Sequence, residues 1–190
     1  MRDLICWDVV SADGFFEGPD HDISLFPFDD ELEQYILDTQ RSAGTVLFGR
    51  VTYEMMAAYW PTATGPIAEF MNRVPKVVVS RTLSEVDWHP TTIIRDDVAG
   101  RIAQLKREPG EPIFVFGSAD LTDSLLRYGL VDELRIGVSP ILLGEGTRMF
   151  RRGGIRRPLR LAWSRTFGSG LVVLHYRPTA GAEAAPEAAG

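Results

Sequence analysis

One cysteine, Cys6, occurs in 190 residues, so no intrachain disulfide can form and no thiolate cluster exists to hold zinc. The histidines His21, His89 and His175 are far apart and carry no metal-ligand spacing. No metal is expected. Long apolar runs are also missing: residues 113–116 and 171–174 fall far short of the ~20 needed for a membrane helix. The chain leads from Met1 to Asp3 straight into a strand-like segment, without the apolar stretch of a signal peptide. A cytoplasmic protein without membrane partners is the expectation.

Nucleotide and hydrolase fingerprints are absent as well. There is no Walker loop, and the pairs Gly144/Gly146 and Gly168/Gly170 lack a third glycine and a following helix. They read as β-bends. No Gly-x-Ser-x-Gly elbow offers a hydrolase nucleophile. Basic residues are outnumbered, 20 against 26 acidic, for a net charge of −6, which argues against a generic nucleic-acid binder. Lysine is nearly absent. Only Lys76 and Lys106 occur, so the remaining 18 of the 20 basic residues are arginine, the side chain suited to bidentate phosphate and carboxylate recognition.

What is present fits one domain with a substantial core, since 45% of the residues are hydrophobic. Strands are predicted at 4–10, 46–48, 77–79, 92–94, 113–116 and 134–138. A closing antiparallel hairpin is predicted from 159–167 and 171–176. Helices are predicted after the acidic start Asp29-Asp30-Glu31, from Thr52 to Trp60, over 66–72 and 98–106, and after Ser118, with Gly129 as a stop. Residues 11–27 read as a long loop opening on Ser11-Ala12-Asp13-Gly14. The domain is assigned to 1–178, and the Ala/Glu/Gly-rich stretch 179–190 to a disordered tail. Strands alternating with helices predict an α/β fold, mostly parallel, with an antiparallel C-terminal edge.

Three strand ends carry small or phosphate-competent residues: Gly49-Arg50-Val51-Thr52, Ser80-Arg81-Thr82 and Gly117-Ser118-Ala119. Ligands of open α/β sheets bind beyond the carboxyl ends of strands. A helix N-terminus behind a small residue offers unpaired N–H groups to an anion. Small residues at a strand end are usually turns and an arginine after a strand is usually solvated, but three such segments in one chain point to a phosphate-bearing cofactor.

These segments also carry a family resemblance. The chain resembles the dihydrofolate reductase-like family, in particular the bacterial group related to the C-terminal reductase domain of the bifunctional riboflavin-biosynthesis deaminase-reductase. The motifs are Ser11-x-Asp13-Gly14, Leu47-Phe48-Gly49-Arg50-x-Thr52-Tyr53-Glu54, and Lys76-Val77-Val78-Val79-Ser80-Arg81-Thr82-Leu83. They continue through Gly117-Ser118-Ala119-x-Leu121, Gly129-Leu130-Val131-Asp132-Glu133-Leu134 and Pro140-Ile141-Leu142-Leu143-Gly144-x-Gly146. The resemblance implies a three-layer fold and an NADPH-dependent reductase that transfers hydride to a pterin, pyrimidine or similar heterocycle. The 5-amino-6-(5-phosphoribosylamino)uracil reductases and dihydrofolate reductases are the models. A homodimer is implied too.

The resemblance places the cofactor on Gly49, Arg50, Thr52, Ser80, Arg81, Gly117, Ser118, Ala119 and Leu121. It also implies a cis bond at Gly117–Ser118. Reduction needs a proton besides hydride, and the candidate acids are Glu33 and Asp13. A structural role is open for each: Glu33 as a solvated helix acid, Asp13 in an Asx turn. Phe15, followed by Phe16, stands where riboflavin-type reductases commonly carry a lysine after the Asp-Gly pair, which removes a cationic partner for a ribose phosphate. Phe15, Phe16, Tyr59 and Trp60 suit either an aromatic pocket for a flat heterocycle or the core. Two other readings stand beside the reductase: a non-catalytic ligand-binding protein of the same fold, and an anion-binding patch from Arg151, Arg152, Arg156, Arg157 and Arg160.

Overall fold

The computed structural model describes residues 1–150 and 154–179. The elements are β1 (Leu4–Ser11), β2 (Phe15–Glu17), α1 (Asp30–Arg41), β3 (Thr45–Gly49), α2 (Arg50–Tyr59), α3 (Pro66–Arg73) and β4 (Lys76–Val79). Then come β5 (Thr91–Ile94), α4 (Val98–Arg107), β6 (Ile113–Phe116), α5 (Ala119–Arg127) and β7 (Glu133–Ser139). The last are β8 (Thr147–Arg148), β9 (Leu159–Thr166) and β10 (Val172–Pro178). Eight strands form one sheet in the order β5-β4-β3-β6-β1-β7-β10-β9. The first six are mutually parallel, and β10 is antiparallel to both β7 and β9.

Strands β3 and β6 are almost wholly apolar, and β1 is apolar apart from Asp8 and Ser11, because helices cover both faces. Leu4, Cys6 and Leu47 pack with Ile102 of α4 and with Leu121 and Leu125 of α5. Residues of opposite parity face the other way: Ile5 and Trp7 pack with Leu32 of α1. Val46 and Phe48 pack with Tyr53 of α2 and Met71 of α3. Two helices on one face and three on the other give the expected three layers. Among the described residues no helix is long and apolar enough to cross a membrane.

Local signals act as chemistry predicts at the helix ends. Asp29 caps α1 by accepting from the Leu32 N–H at 2.8 Å. After α5 the chain reverses at Gly129, with the Leu130 N–H donating to the Leu125 carbonyl at 3.0 Å. The stretch after β1 departs from the expected loop, because β2 pairs with β8, Phe15 opposite Arg148 and Glu17 opposite Thr147. Gly146 permits this approach: a Cβ there would stand 2.1 Å from the Glu17 carbonyl oxygen. The tail assignment falls on 180–190, outside the described residues, apart from Thr179, whose N–H bonds the Pro158 carbonyl.

Candidate functional site

Parallel β3 and β6 are neighbours, so Gly49 and Gly117 leave the sheet side by side and α2 and α5 begin next to each other. A hydrogen-bonded group ties the two helix starts together. The Thr52 hydroxyl donates to the Gly117 carbonyl at 2.5 Å. The Ser118 hydroxyl lies 3.0 Å from Thr52 Oγ1 and accepts from the Gly49 N–H at 3.1 Å. Gly49 and Ser118 are the N-cap residues, and neither caps its own helix with a side chain. Two helix N-termini are thus held together with their positive dipole ends at the carboxyl edge of the sheet.

Gly117 turns the chain here with φ +58, a left-handed conformation that favours glycine. A Cβ would meet Thr52 Cγ2 at 3.4 Å. The Gly117–Ser118 bond is trans, which corrects the expected cis bond. Among the described residues the only cis bond is His89–Pro90. The reversal at Gly117 is made instead by its positive φ.

The other expected cofactor residues fall into two groups. Ala119 opens α5, while Leu121 is 7% exposed and packs in the α4/α5 core. Arg50 is exposed at the start of α2 and pairs with Glu54 at 2.7 Å. Ser80 and the exposed Arg81 follow β4, one strand beyond β3. The Ser80 hydroxyl is engaged by the Thr82 and Leu83 N–H groups at 3.2 and 2.9 Å.

The two candidate acids have different surroundings. Asp13 accepts from the Ser11 hydroxyl at 2.6 Å and from the Gly144 and Leu143 N–H groups at 2.8 and 3.1 Å. The Ser11 hydroxyl, then those loop amides, hold its carboxyl down to about 2. It therefore braces the loop after β7 and holds no proton near neutrality. Glu33 is half-buried on α1, one turn before Leu37. Leu37 lines a cavity of about 360 Å³ between α1 and α3, together with Gln40, Glu69 and Phe70.

A carboxyl outside both expectations stands closest to the paired helix starts. Asp8, in the middle of β1, accepts from the Gly117 N–H at 2.9 Å through Oδ1. Its Oδ2 is buried without a hydrogen-bond partner. Burial pushes this carboxyl up to about 8 against the pull of the Gly117 N–H, and the nearby Glu17 charge adds to the rise. The sequence signal is a lone acid in the apolar run Leu4-Ile5-Cys6-Trp7-Asp8-Val9-Val10, since an isolated charge in a buried strand is costly.

The four aromatics are not gathered into one pocket. Phe15 is buried under the Arg148 guanidinium, 4.2 Å from its ring centre. Phe16 packs on the α4/α5 side, Trp60 on the α2/α3 side, and Tyr59 is exposed. A second cavity, of about 410 Å³, lies like the α1–α3 cavity at the amino edge of the parallel strands, between Asp3, Asp132, Glu133, Arg157 and Arg177. None of the expected cofactor residues lines it. Of the arginine cluster, Arg151 and Arg152 lie outside the described residues. Arg156 and Arg160 are exposed, and Arg157 is half-buried in that second cavity.

A three-layer sheet with two helix N-termini joined at its carboxyl edge defines an α/β protein of the dihydrofolate reductase-like fold. The chain belongs to the RibD C-terminal domain family, whose model matches residues 2–173. It is 31% identical over 181 residues to the uncharacterized protein YyaP of Bacillus subtilis, covering 93% of this chain and 95% of that one. Among solved structures, it is similar to a putative riboflavin biosynthesis protein from Shewanella sp. PV-4. That likeness has a TM-score of 0.78 at 19% identity and covers 94% of this chain and all 100% of the other. It also matches a Thermotoga maritima diaminohydroxyphosphoribosylaminopyrimidine deaminase/5-amino-6-(5-phosphoribosylamino)uracil reductase, with a TM-score of 0.69 at 13% identity. There 94% of this chain covers 57% of the bifunctional protein.

Proposed function

We propose that the protein is an NADPH-dependent reductase that delivers hydride to a pyrimidine, pterin or similar heterocycle. The observation that carries this reading is the joined pair of helix starts, Gly49-Arg50 and Gly117-Ser118, bridged by Thr52. The residues fit a phosphate-bearing cofactor: two uncapped helix N-termini converge, glycine keeps the backbone accessible, and cations stand at Arg50 and Arg81. Family membership and the reductase named among the structural neighbours support the same reading.

In this reading Gly49, Thr52, Gly117, Ser118 and Ala119 hold the pyrophosphate. Arg50 meets the 2′-phosphate, for which it exchanges its surface pairing with Glu54. Ser80 and Arg81 flank the adenosine end, and Leu121 supports the cradle from the core. The bound nicotinamide supplies hydride. Glu33 is the acid assigned to the substrate side, because it stands half-buried in the first turn of α1 and its carboxyl is not taken up by loop amides as that of Asp13 is. The absence of lysine at position 15, held by Phe15, favours a substrate whose recognition does not depend on a ribose phosphate.

The homodimer belongs to the same proposal. β9 is an edge strand whose eight residues are all exposed, including Leu159, Leu161 and Trp163. A long exposed edge strand, here with Leu159, Leu161 and Trp163 alternating with Arg160 and Ala162, is a template for pairing with a second copy. Light scattering on the purified protein is expected to give twice the chain mass.

Calorimetric titration with NADPH and NADH tests the cofactor, and NADPH oxidation with candidate pyrimidines and pterins tests turnover. The expected result is tighter binding of NADPH than NADH, with oxidation that slows in Glu33→Gln. Full turnover in Glu33→Gln removes Glu33 from the role. Binding without turnover on any heterocycle favours the non-catalytic ligand-binding alternative.

A further inference from the structure

Asp8 stands at one end of a hydrogen-bonded line that crosses the strand ends. Its Oδ1 accepts from the Gly117 N–H, and the Gly117 carbonyl accepts from Thr52. Thr52 meets Ser118, which accepts from the Gly49 N–H. Both helix starts hang on this line. Asp8 itself is only 7% exposed, and its second oxygen is buried and unpartnered. A buried carboxylate with a bare oxygen is costly, and carrying a proton lowers that cost.

The surrounding charges do not offset the penalty. On its own strand Cys6 is a buried thiol pushed up to about 12 by burial. From β2, Glu17 adds negative charge, itself 2.9 Å from the His21 ring. From α5, Asp120 is exposed in the first turn. On β7, Glu133 and Arg135 are in register with Ile5 and Trp7, the residues that face the opposite side of the sheet. The neighbouring strand β6 is Ile113-Phe114-Val115-Phe116 and brings no charge. Among the described residues no cation contributes to holding Asp8 ionised.

We propose that Asp8 is a positioning residue of the phosphate site: its neutral carboxyl holds the Gly117 turn in an anion-receiving form, and loss of its proton weakens the binding of a diphosphate. The inference rests on the NADPH reading above and adds a pH dependence to it. An ionised Asp8 sets a full negative charge directly behind the Gly117 amide, inside a medium that screens it poorly. Linkage is reciprocal, so a bound diphosphate holds the Asp8 proton more firmly, and binding in the alkaline range takes up a proton.

The experiment titrates NADPH, and separately ADP as a diphosphate without nicotinamide, into the whole protein and into Asp8→Asn. Asparagine keeps a carbonyl oxygen for the Gly117 N–H and cannot ionise. For the unaltered protein Kd is expected to be level near neutrality and to rise by up to about tenfold per pH unit above the Asp8 transition near about 8. The variant is expected to be flat over the same range. Should Asp8→Asn fail to fold, calorimetry of the unaltered protein in buffers of different ionisation heats still measures proton uptake on binding. Uptake in the alkaline range is expected, and its absence overturns the proposal.

A flat profile in the unaltered protein, or the same rise in Asp8→Asn, overturns the role of Asp8 while leaving the NADPH reading intact. If ADP follows the expected pattern and NADPH binds to neither protein, the NADPH reading fails and the role of Asp8 at a diphosphate site stands. Binding of neither ligand at any pH overturns both.

Discussion

Two polar regions of this molecule differ in how they settle their hydrogen bonds. On the β7–β10 side, Glu133, Arg135, His175 and Tyr35 satisfy one another. Arg135 meets Glu133 at 2.5 Å, the His175 ring lies 3.3 Å from Glu133, and its other nitrogen is 2.7 Å from the Tyr35 hydroxyl. The His175 ring and then Arg135 hold the Glu133 carboxyl down to about 2. At the carboxyl edge, by contrast, Asp8 keeps a bare oxygen, and two helices begin without side-chain caps. A closed network fastens an element, here α1 through Tyr35. An open one leaves the first-turn N–H groups of α2 and α5 without side-chain caps, which is why the proposed site is placed there.

The largest effect is expected where the open region depends on backbone shape. Gly117→Val places a branched side chain at φ +58 against Thr52, and NADPH affinity should fall by about a hundredfold or more, with a loss of stability of about 1–3 kcal/mol. Titration and thermal unfolding read the two parts separately.

A comparable effect on stability alone is expected from the closed region. Glu133→Ala leaves Arg135 largely buried and without its carboxylate, at a cost of about 3 kcal/mol. NADPH affinity should stay within about twofold, because the network lies apart from the cradle. Since folding depresses the Glu133 carboxyl to about 2, its stabilisation is complete above the ordinary glutamate range. It is lost as pH falls toward the folded value. Unfolding midpoints measured down the acid range should therefore drop more steeply in the unaltered protein than in Glu133→Ala. Equal slopes would contradict the assignment.

Thr52→Val comes next. It removes the hydroxyl that joins Gly117 to Ser118, and affinity is expected to fall about tenfold, near the worth of one hydrogen bond in a buried setting. The smallest effect on stability belongs to Arg50→Ala. Its pairing with Glu54 is exposed and contributes less than about 1 kcal/mol. Its effect should appear instead as a loss of preference for NADPH over NADH.

Much of the fold is readable in the sequence because local pattern and tertiary environment agree. The apolar runs at 46–48 and 113–116 have the form of strands buried on both faces, and the acidic start at Asp29 and the stop at Gly129 are side-chain and backbone chemistry. What escapes is long-range. β2 is three residues whose partner, β8, lies far along the chain. The carboxyl of Asp13 is consumed by amides at Leu143 and Gly144, which no local pattern reveals. The small residues at Gly49, Thr52, Gly117 and Ser118 are legible as phosphate-competent, but their joining depends on β3 lying beside β6. Asp8 is visible as an acid among apolar neighbours, whereas its partner, the Gly117 amide, comes from the next strand, 109 residues away.

The central claim is that the two joined helix starts form one site for a phosphate-bearing cofactor. Fluorescence titration of NADPH into the unaltered protein and into Gly117→Val, side by side at neutral pH, tests it most directly. Saturable binding by the first and its loss in a folded variant is the predicted result. No binding by the unaltered protein, or equal binding by both, would contradict it.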